Sequence, residues 1–125
     1  AGAQRQGEFI AKTDPTLRWK TGELKFGQNT ILIALMTNAN LSKMQLFYLA
    51  ERAHNGIVRA VIPAHTSYDG DLVFALSLPQ MDIKIDQVSE MATETTRQSI
   101  IQGVLAAHSL GGIPAVGRDI NPQVK

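Results

Sequence analysis

The sequence predicts a layered α/β unit. Two stretches, Thr30-Ile31-Leu32-Ile33-Ala34-Leu35-Met36-Thr37 and Leu72-Val73-Phe74-Ala75-Leu76-Ser77-Leu78, are apolar at consecutive positions, as strands covered on both faces must be. Between and after them the apolar residues recur at spacings of three and four, the period of helices that pack on a sheet. Strand, helix, strand, helix is the order of an α/β layer.

Each element has its own local signals. From Ala1 to about Gln28 the chain is polar, contains Gly7, Pro15, Gly22 and Gly27, and carries only short apolar pieces such as Phe9-Ile10. It reads as a connector or an element pinned to another chain. After the first strand, Asn38-Ala39-Asn40 turns the chain, and Ser42 with Gln45 three residues on forms a capping-box signature. The helix that follows carries Leu46, Leu49, Ala50, Ala53, Ile57 and Ala60-Val61 on one stripe, and Pro63 stops it. His65 to Asp71 reads as a loop with a tight turn, Gly70 taking positive φ between two aspartates. Pro79 closes the second strand. A long helix is expected from near Asp86 to His108, with Val88, Met91, Ala92, Thr95, Ile100, Val104 and Leu105 on its buried face. Gly111-Gly112 is read as its end and the tail from Ile113 as irregular.

Two strands that are hydrophobic all round need cover on both faces, and the chain supplies only two amphipathic helices. A partner is therefore expected, either more sheet from the N-terminal segment or another polypeptide.

Composition narrows the partners. In 125 residues, 12 Lys and Arg stand against 11 Asp and Glu, a net charge of +1 with no basic stretch. Nucleic acid and anionic lipid are thus not expected partners. Cysteine is absent, which excludes disulfides and thiolate chemistry. The longest apolar run, Ile31 to Met36, is far too short to span a bilayer, and the N-terminus lacks the apolar core of a secretory signal. The expectation is a soluble, cytoplasmic chain of one domain.

The chemistry centres on Gln28-Asn29-Thr30, at the head of the first strand, and on Asp69-Gly70-Asp71, at the head of the second. A hydroxyl nucleophile is weak until a base takes its proton, and in N-terminal-nucleophile enzymes that base is the residue's own α-amine. An α-amine has a pKa of about 7.7–8.0, near working pH. A threonine inside a chain acquires one only when the preceding peptide bond is cut. At Asn29-Thr30 the hydroxyl would attack the Asn29 carbonyl, shift the acyl group from nitrogen to oxygen, and release it to water. Asp69 and Asp71 could then accept hydrogen bonds from the new ammonium and hydroxyl.

The run Asn29-Thr30 through Thr37-Asn38, then Ala53-His54, Arg59-Ala60, Pro63, His65-Thr66, Asp69-Gly70-Asp71 and Val73-Phe74-Ala75, resembles the C-terminal subunit of the DmpA-type aminopeptidase family. That family includes L-aminopeptidase/D-esterases, β-peptidyl aminopeptidases and endo-type 6-aminohexanoate-oligomer (nylon oligomer) hydrolases. The similarity runs from about Gly27 to Leu78, and Ala106-Ala107-His108-Ser109 with Gly111-Gly112-Ile113-Pro114 also looks like the family's C-terminal part. The aminopeptidase branch usually has Gly-Ser at the junction, whereas Asn29-Thr30 is similar to the nylon oligomer hydrolases.

The resemblance implies a precursor cut into α and β subunits and folded as a four-layer sandwich of two sheets between helices. Residues 1–29 would be the end of the α subunit and 30–125 the β subunit, with Thr30 the nucleophile and Asp69 and Asp71 its neighbouring carboxylates. The family's catalytic Lys and Asn lie upstream in the α subunit and have no counterpart here. The remainder of the α subunit and an oligomer of αβ units are the implied partners, a small-molecule or oligomeric amide the implied substrate. No cofactor and no metal are implied.

Other readings of the same residues stand beside this one. Asp69-Gly70-Asp71 can be a plain turn, and it lacks the alternating acids and closing Glu of a calcium loop. His54, His65 and His108 lack the four-residue spacing of a helical zinc pair, so they read as structural or substrate-adjacent. Tyr68 and His65 are candidate substrate contacts; Phe74, beside the same turn, is a candidate for the acyl pocket but reads first as a core aromatic. Acyl transfer, as in ornithine acetyltransferases, and a non-catalytic α/β module are the alternative functions.

Overall fold

The computed structural model describes residues 30–112 and 114–116, together with the backbone of two short strands, β1 (Gln4–Arg5) and β2 (Glu8–Phe9). These two pair antiparallel, Gln4 opposite Phe9 and Arg5 opposite Glu8. The rest of the expected connector, including Asn29, and the tail from 117 onward lie outside the described residues.

Strand β3 (Leu32–Ala39) leads to helix α1 (Lys43–Ala60), then strand β4 (Leu72–Met81) and helix α2 (Ile85–Ala106). β3 and β4 are parallel, α1 providing the crossover that parallel neighbours need, in a register running from Leu32 opposite Leu72 to Thr37 opposite Ser77. Sequence and structure thus agree on an α/β unit of two strands and two helices among the described residues, and the structure adds that the strands are parallel.

α1 begins where the sequence marks it. Ser42 Oγ accepts the Gln45 amide at 3.3 Å and Gln45 Oε1 accepts the Ser42 amide at 2.9 Å. The reciprocal pair satisfies two backbone donors at the helix start. Its buried stripe is Leu49, Ala53, Gly56, Ile57 and Ala60. Of these, Leu49, Ala53 and Ile57 make the core with Leu35, Ala39, Val73, Val88 and Ala92, between one face of the sheet and the two helices.

Four local expectations are corrected. β4 does not close at Pro79 but continues to Met81, because the register shifts between Thr37 and Ala39 and Pro79 falls in the irregular step, where no ladder donor is required. α2 ends at Ala106 in an extended cap residue, Ala107, so Gly111 and Gly112, with φ of 60° and 78°, belong to a later turn. Gly70 does not take positive φ; the left-handed residue of that loop is His65, at φ 55°. The buried face of α2 is also rotated. Val88 and Ala92 are buried as expected, but Met91, Thr95 and Leu105 are exposed, and Ser89, Thr93 and Thr96 are buried instead.

The rotation follows from how closely α1 and α2 approach. A Cβ on Gly56 would stand 2.3 Å from the Thr93 carbonyl oxygen and 2.7 Å from Thr96 Cβ, so backbone meets backbone at that point. Small side chains alone fit such a seam, and their hydroxyls must find internal partners. Ser89 Oγ donates to the Ile85 carbonyl at 2.7 Å, and Thr93 Oγ1 lies 2.9 Å from the Arg52 carbonyl across the seam, whereas the buried Thr96 hydroxyl has no hydrogen-bond partner among the described residues.

Among the described residues the helices cover one face of the sheet only. Along β3 the burial alternates with period two, Leu35 and Ala39 pointing to the helices while Leu32 and Met36 are 66% and 69% exposed. Leu72, Phe74, Leu76 and Leu78 continue the exposed face along β4. Phe74 is therefore not a core aromatic of this unit: both helices lie on the opposite side of the sheet. None of the helices among the described residues is long and apolar enough to cross a membrane.

Candidate active site at the amino ends of the parallel strands

The register brings the two sequence signals together. Leu32 lies opposite Leu72, an offset of 72 − 32 = 40, and the same offset carries Thr30 to Gly70, the centre of Asp69-Gly70-Asp71. The strands are parallel, so their amino ends lie side by side and the residues just before each strand become neighbours. A side chain at position 70 would meet Thr30 first: a Cβ there would be 3.1 Å from Thr30 Oγ1.

Asp71 ties the two strand heads. Its Oδ1 accepts the Ile31 amide at 3.0 Å, and the Leu72 amide donates to the Ile31 carbonyl at 2.9 Å. The Ile31 nitrogen shares a peptide plane with the Thr30 carbonyl, so this bond orients the residue that carries the hydroxyl. The Asp71 side chain is 4% exposed, and its Oδ2 stands 2.9 Å from His65 Nδ1, an ion-pair approach without the alignment of a hydrogen bond.

Asp69 shapes the loop. Its Oδ2 accepts both the Thr66 amide and the Thr66 hydroxyl at 2.8 Å, and its amide donates to the Thr66 carbonyl at 3.0 Å. The carboxylate thereby closes the turn in which Tyr68 stands half-buried, the Tyr68 amide 3.4 Å from Thr66 Oγ1. Sequence reasoning assigned both aspartates to the ammonium and hydroxyl of Thr30; the described bonds of Asp69 go to Thr66, and Asp71 meets the chain one residue beyond Thr30.

The histidines are the feature that spacing did not reveal. His54, on α1, and His65 lie with ring centroids 4.9 Å apart, tilted by 56°, and His65 Nε2 stands 3.4 Å from the His54 carbonyl. His54 is held below the ordinary imidazole range, first by burial and then by the neighbouring His65, against the opposite pull of Asp71 and Glu51. The available signal was the chain reversal at Pro63, which returns the loop along the end of α1. His108 is exposed. Among the described residues no cluster of three or more His, Asp or Glu could hold a metal ion.

Among the described residues the opposite end of the sheet offers no comparable chemistry. A shallow depression there is lined by Asn40, Pro79, Gln80, Met81 and Asp82, with Asn40 Nδ2 donating to Asp82 Oδ1 at 3.1 Å. Open α/β sheets usually bind ligands at the carboxyl ends of their strands. Here the hydroxyl, the carboxylates and the histidines gather at the amino ends.

Comparison with known proteins places the chain in a family. An uncharacterized aminopeptidase of Mycobacterium tuberculosis (strain ATCC 25618 / H37Rv) is 31% identical over 139 aligned positions, covering 93% of this chain and 40% of its own length. One from Mycobacterium leprae is 32% identical over 101 positions, covering 69% and 28%. A 6-aminohexanoate-oligomer endohydrolase of Paenarthrobacter ureafaciens is 34% identical over 55 positions, covering 44% and 16%. The chain thus spans well under half the length of these curated relatives. Residues 2–116 match the profile of peptidase family S58, and the chain belongs to that family.

Proposed function

We propose that this chain carries the nucleophile of an amide hydrolase that cuts its own precursor between Asn29 and Thr30 and then hydrolyses linear amides through an acyl-Thr30 ester. The observation that carries the reading is the forty-residue register, which sets Thr30 against Gly70 with Asp71 bonded to the adjoining Ile31 amide. A nucleophile of this kind needs a fixed direction before it needs strength, and a buried carboxylate on the next amide supplies it.

The steps balance without a cofactor. Thr30 Oγ attacks the Asn29 carbonyl and its proton passes to the departing Thr30 nitrogen; water then opens the ester, leaving an Asn29 carboxylate and a free Thr30 amine. In turnover that amine takes the hydroxyl proton while Oγ attacks the substrate carbonyl, and passes a proton to the leaving amine. Water releases the acyl group and restores Thr30.

The names of the relatives bear on the substrate class. Aminopeptidase points to peptides and 6-aminohexanoate-oligomer endohydrolase to ω-amino amides. The Asn29-Thr30 junction favours the second within the resemblance; peptides or β-peptides are the alternative. Tyr68, on the loop beside Thr30, is the proposed substrate-side residue; His65, the other candidate from the sequence, has its ring nitrogens beside Asp71 and the His54 carbonyl. The rest of the enzyme, including the remainder of the α subunit, is proposed to cover the bare face of the sheet, completing a four-layer sandwich in a cytoplasmic oligomer of αβ units.

Intact mass spectrometry of the full-length precursor beside its Thr30→Ala variant tests the reading. Two fragments meeting at Asn29/Thr30 in the parent and one uncut chain in the variant are expected. A folded parent that stays uncut refutes self-cleavage at Thr30 and leaves a non-catalytic α/β module.

A further inference from the structure

We infer that His65 is a positioning residue for the Thr30 centre: it steadies Asp71, and Asp71 steadies the Ile31 amide. The inference rests on the proposal that Thr30 is the nucleophile. His65 itself touches none of the reacting atoms.

The argument starts from Asp71. A carboxylate whose side chain is 4% exposed has lost most of its water and needs donors or a positive partner in return. Oδ1 has the Ile31 amide at 3.0 Å. Oδ2 is buried and has no aligned hydrogen bond among the described residues, and the group at contact distance from it is His65 Nδ1, at 2.9 Å. Without the imidazole, Oδ2 would be left with no described partner, and rotation of the carboxylate toward solvent would release Ile31.

The placement of the ring has a backbone cost. His65 stands at φ 55°, in the left-handed region that few non-glycine residues occupy. Strain of this kind persists where surrounding contacts hold it, and such residues cluster at functional sites. Here the ring is bracketed by Asp71 on one nitrogen, by the His54 carbonyl 3.4 Å from the other, and by the His54 ring 4.9 Å away. The path from helix to nucleophile is therefore α1, His65, Asp71, Ile31, Thr30. A glycine would remove the strain of the turn, so the occurrence of His at this position is explained by its ring.

Substitutions at 65 separate the ring from the backbone. Asparagine tolerates positive φ and keeps a donor close to the Nδ1 position; glycine tolerates positive φ and has no donor; aspartate has the shape of asparagine but places a like charge against Asp71. The measurement is the first-order rate of Asn29-Thr30 scission in the full-length precursor after cell-free synthesis, followed by intact mass. Thermal midpoints are taken in the uncut Thr30→Ala background.

The expected result is scission at least about tenfold slower in His65→Gly and within about threefold of the parent in His65→Asn, the size of one contact to a charged group. The midpoints should not track those rates. Scission of His65→Gly at the parent rate overturns the inference, because the position would then require only a permissive backbone. Equal slowing in His65→Asn and His65→Gly overturns it as well, because the donor would not matter. Where His65→Gly does not fold, the asparagine and aspartate pair decides, with aspartate expected to be the slower by at least about tenfold. A parent that never cleaves, or a Thr30→Ala variant that does, refutes the Thr30 reading itself. An uncut Thr30→Ala variant with His65→Gly at the parent rate refutes the role of His65 alone.

Discussion

Gly70 leaves the space that the Thr30 hydroxyl occupies: a Cβ at position 70 would come within 3.1 Å of Thr30 Oγ1. That distance is a few tenths of an ångström inside ordinary contact, and the backbone at Gly70 is not in the left-handed region, so alanine is allowed by the chain but requires the Thr30 hydroxyl to shift by a few tenths of an ångström. Gly70→Ala is expected to slow self-cleavage by about tenfold, since small displacements of a nucleophile carry large kinetic costs. Stability, measured by urea unfolding of the uncut Thr30→Ala form, should change by less than about 1 kcal/mol.

The seam between α1 and α2 predicts the opposite pattern. Gly56→Ala places a methyl group 2.3 Å from the Thr93 carbonyl and must push the helices apart. Alanine is the better helix former by about 1 kcal/mol, but overpacking against backbone outweighs it. A net loss of about 2 kcal/mol or more is expected in urea unfolding. An unchanged midpoint would show that the two helices can separate freely at this point.

His54 gives a pH dependence with a definite sign. Burial and His65 hold its pKa below the ordinary imidazole value of about 6.5, so below that pH the unfolded chain binds a proton that the folded chain resists. Stability from this group is thus lost as pH falls through about 6.5 and is unaffected above it. Unfolding of the uncut Thr30→Ala form at pH 7.5 and 5.5 should show a loss at the lower pH that is smaller in a His54→Asn background.

The bare sheet face makes a prediction about the whole protein. Leu76 is 51% exposed in this chain. If the remainder of the precursor covers that face, Leu76→Lys buries an unpaired charge and should cost about 3 kcal/mol or more in the full-length protein. A change within about 0.5 kcal/mol, the range of ordinary surface substitutions, would mean that the face stays open to water.

Much of the fold was legible because the signals are local. Ser42 and Gln45 announce α1, and the stripe from Leu49 through Ala53 to Ile57 gives its buried side. The two apolar runs mark β3 and β4, although Pro79 proved to be an irregular step in the strand and not its end. The site was legible in part. Thr30 and the Asp-Gly-Asp turn are forty residues apart, and they meet because two parallel strands joined by one helix happen to share that offset. The histidine pair and the turn closed by Asp69 on Thr66 have no comparable signature, since both depend on how the loop folds back after Pro63.

The sequence by itself determined the order of strands and helices, the start of α1, the apolar character of both sheet faces and the residue types available for chemistry. These follow from propensity and period, which act between near neighbours in the chain. Only the tertiary structure decided which face of the sheet the helices cover, that Ser89, Thr93 and Thr96 and not Met91 line the helix seam, and that Asp71 joins Ile31 to His65 while Asp69 turns to Thr66. Those outcomes depend on close approach between distant segments. A glycine that lets two backbones touch, or a carboxylate that finds its donor forty residues away, leaves no periodic trace in the chain that encodes it.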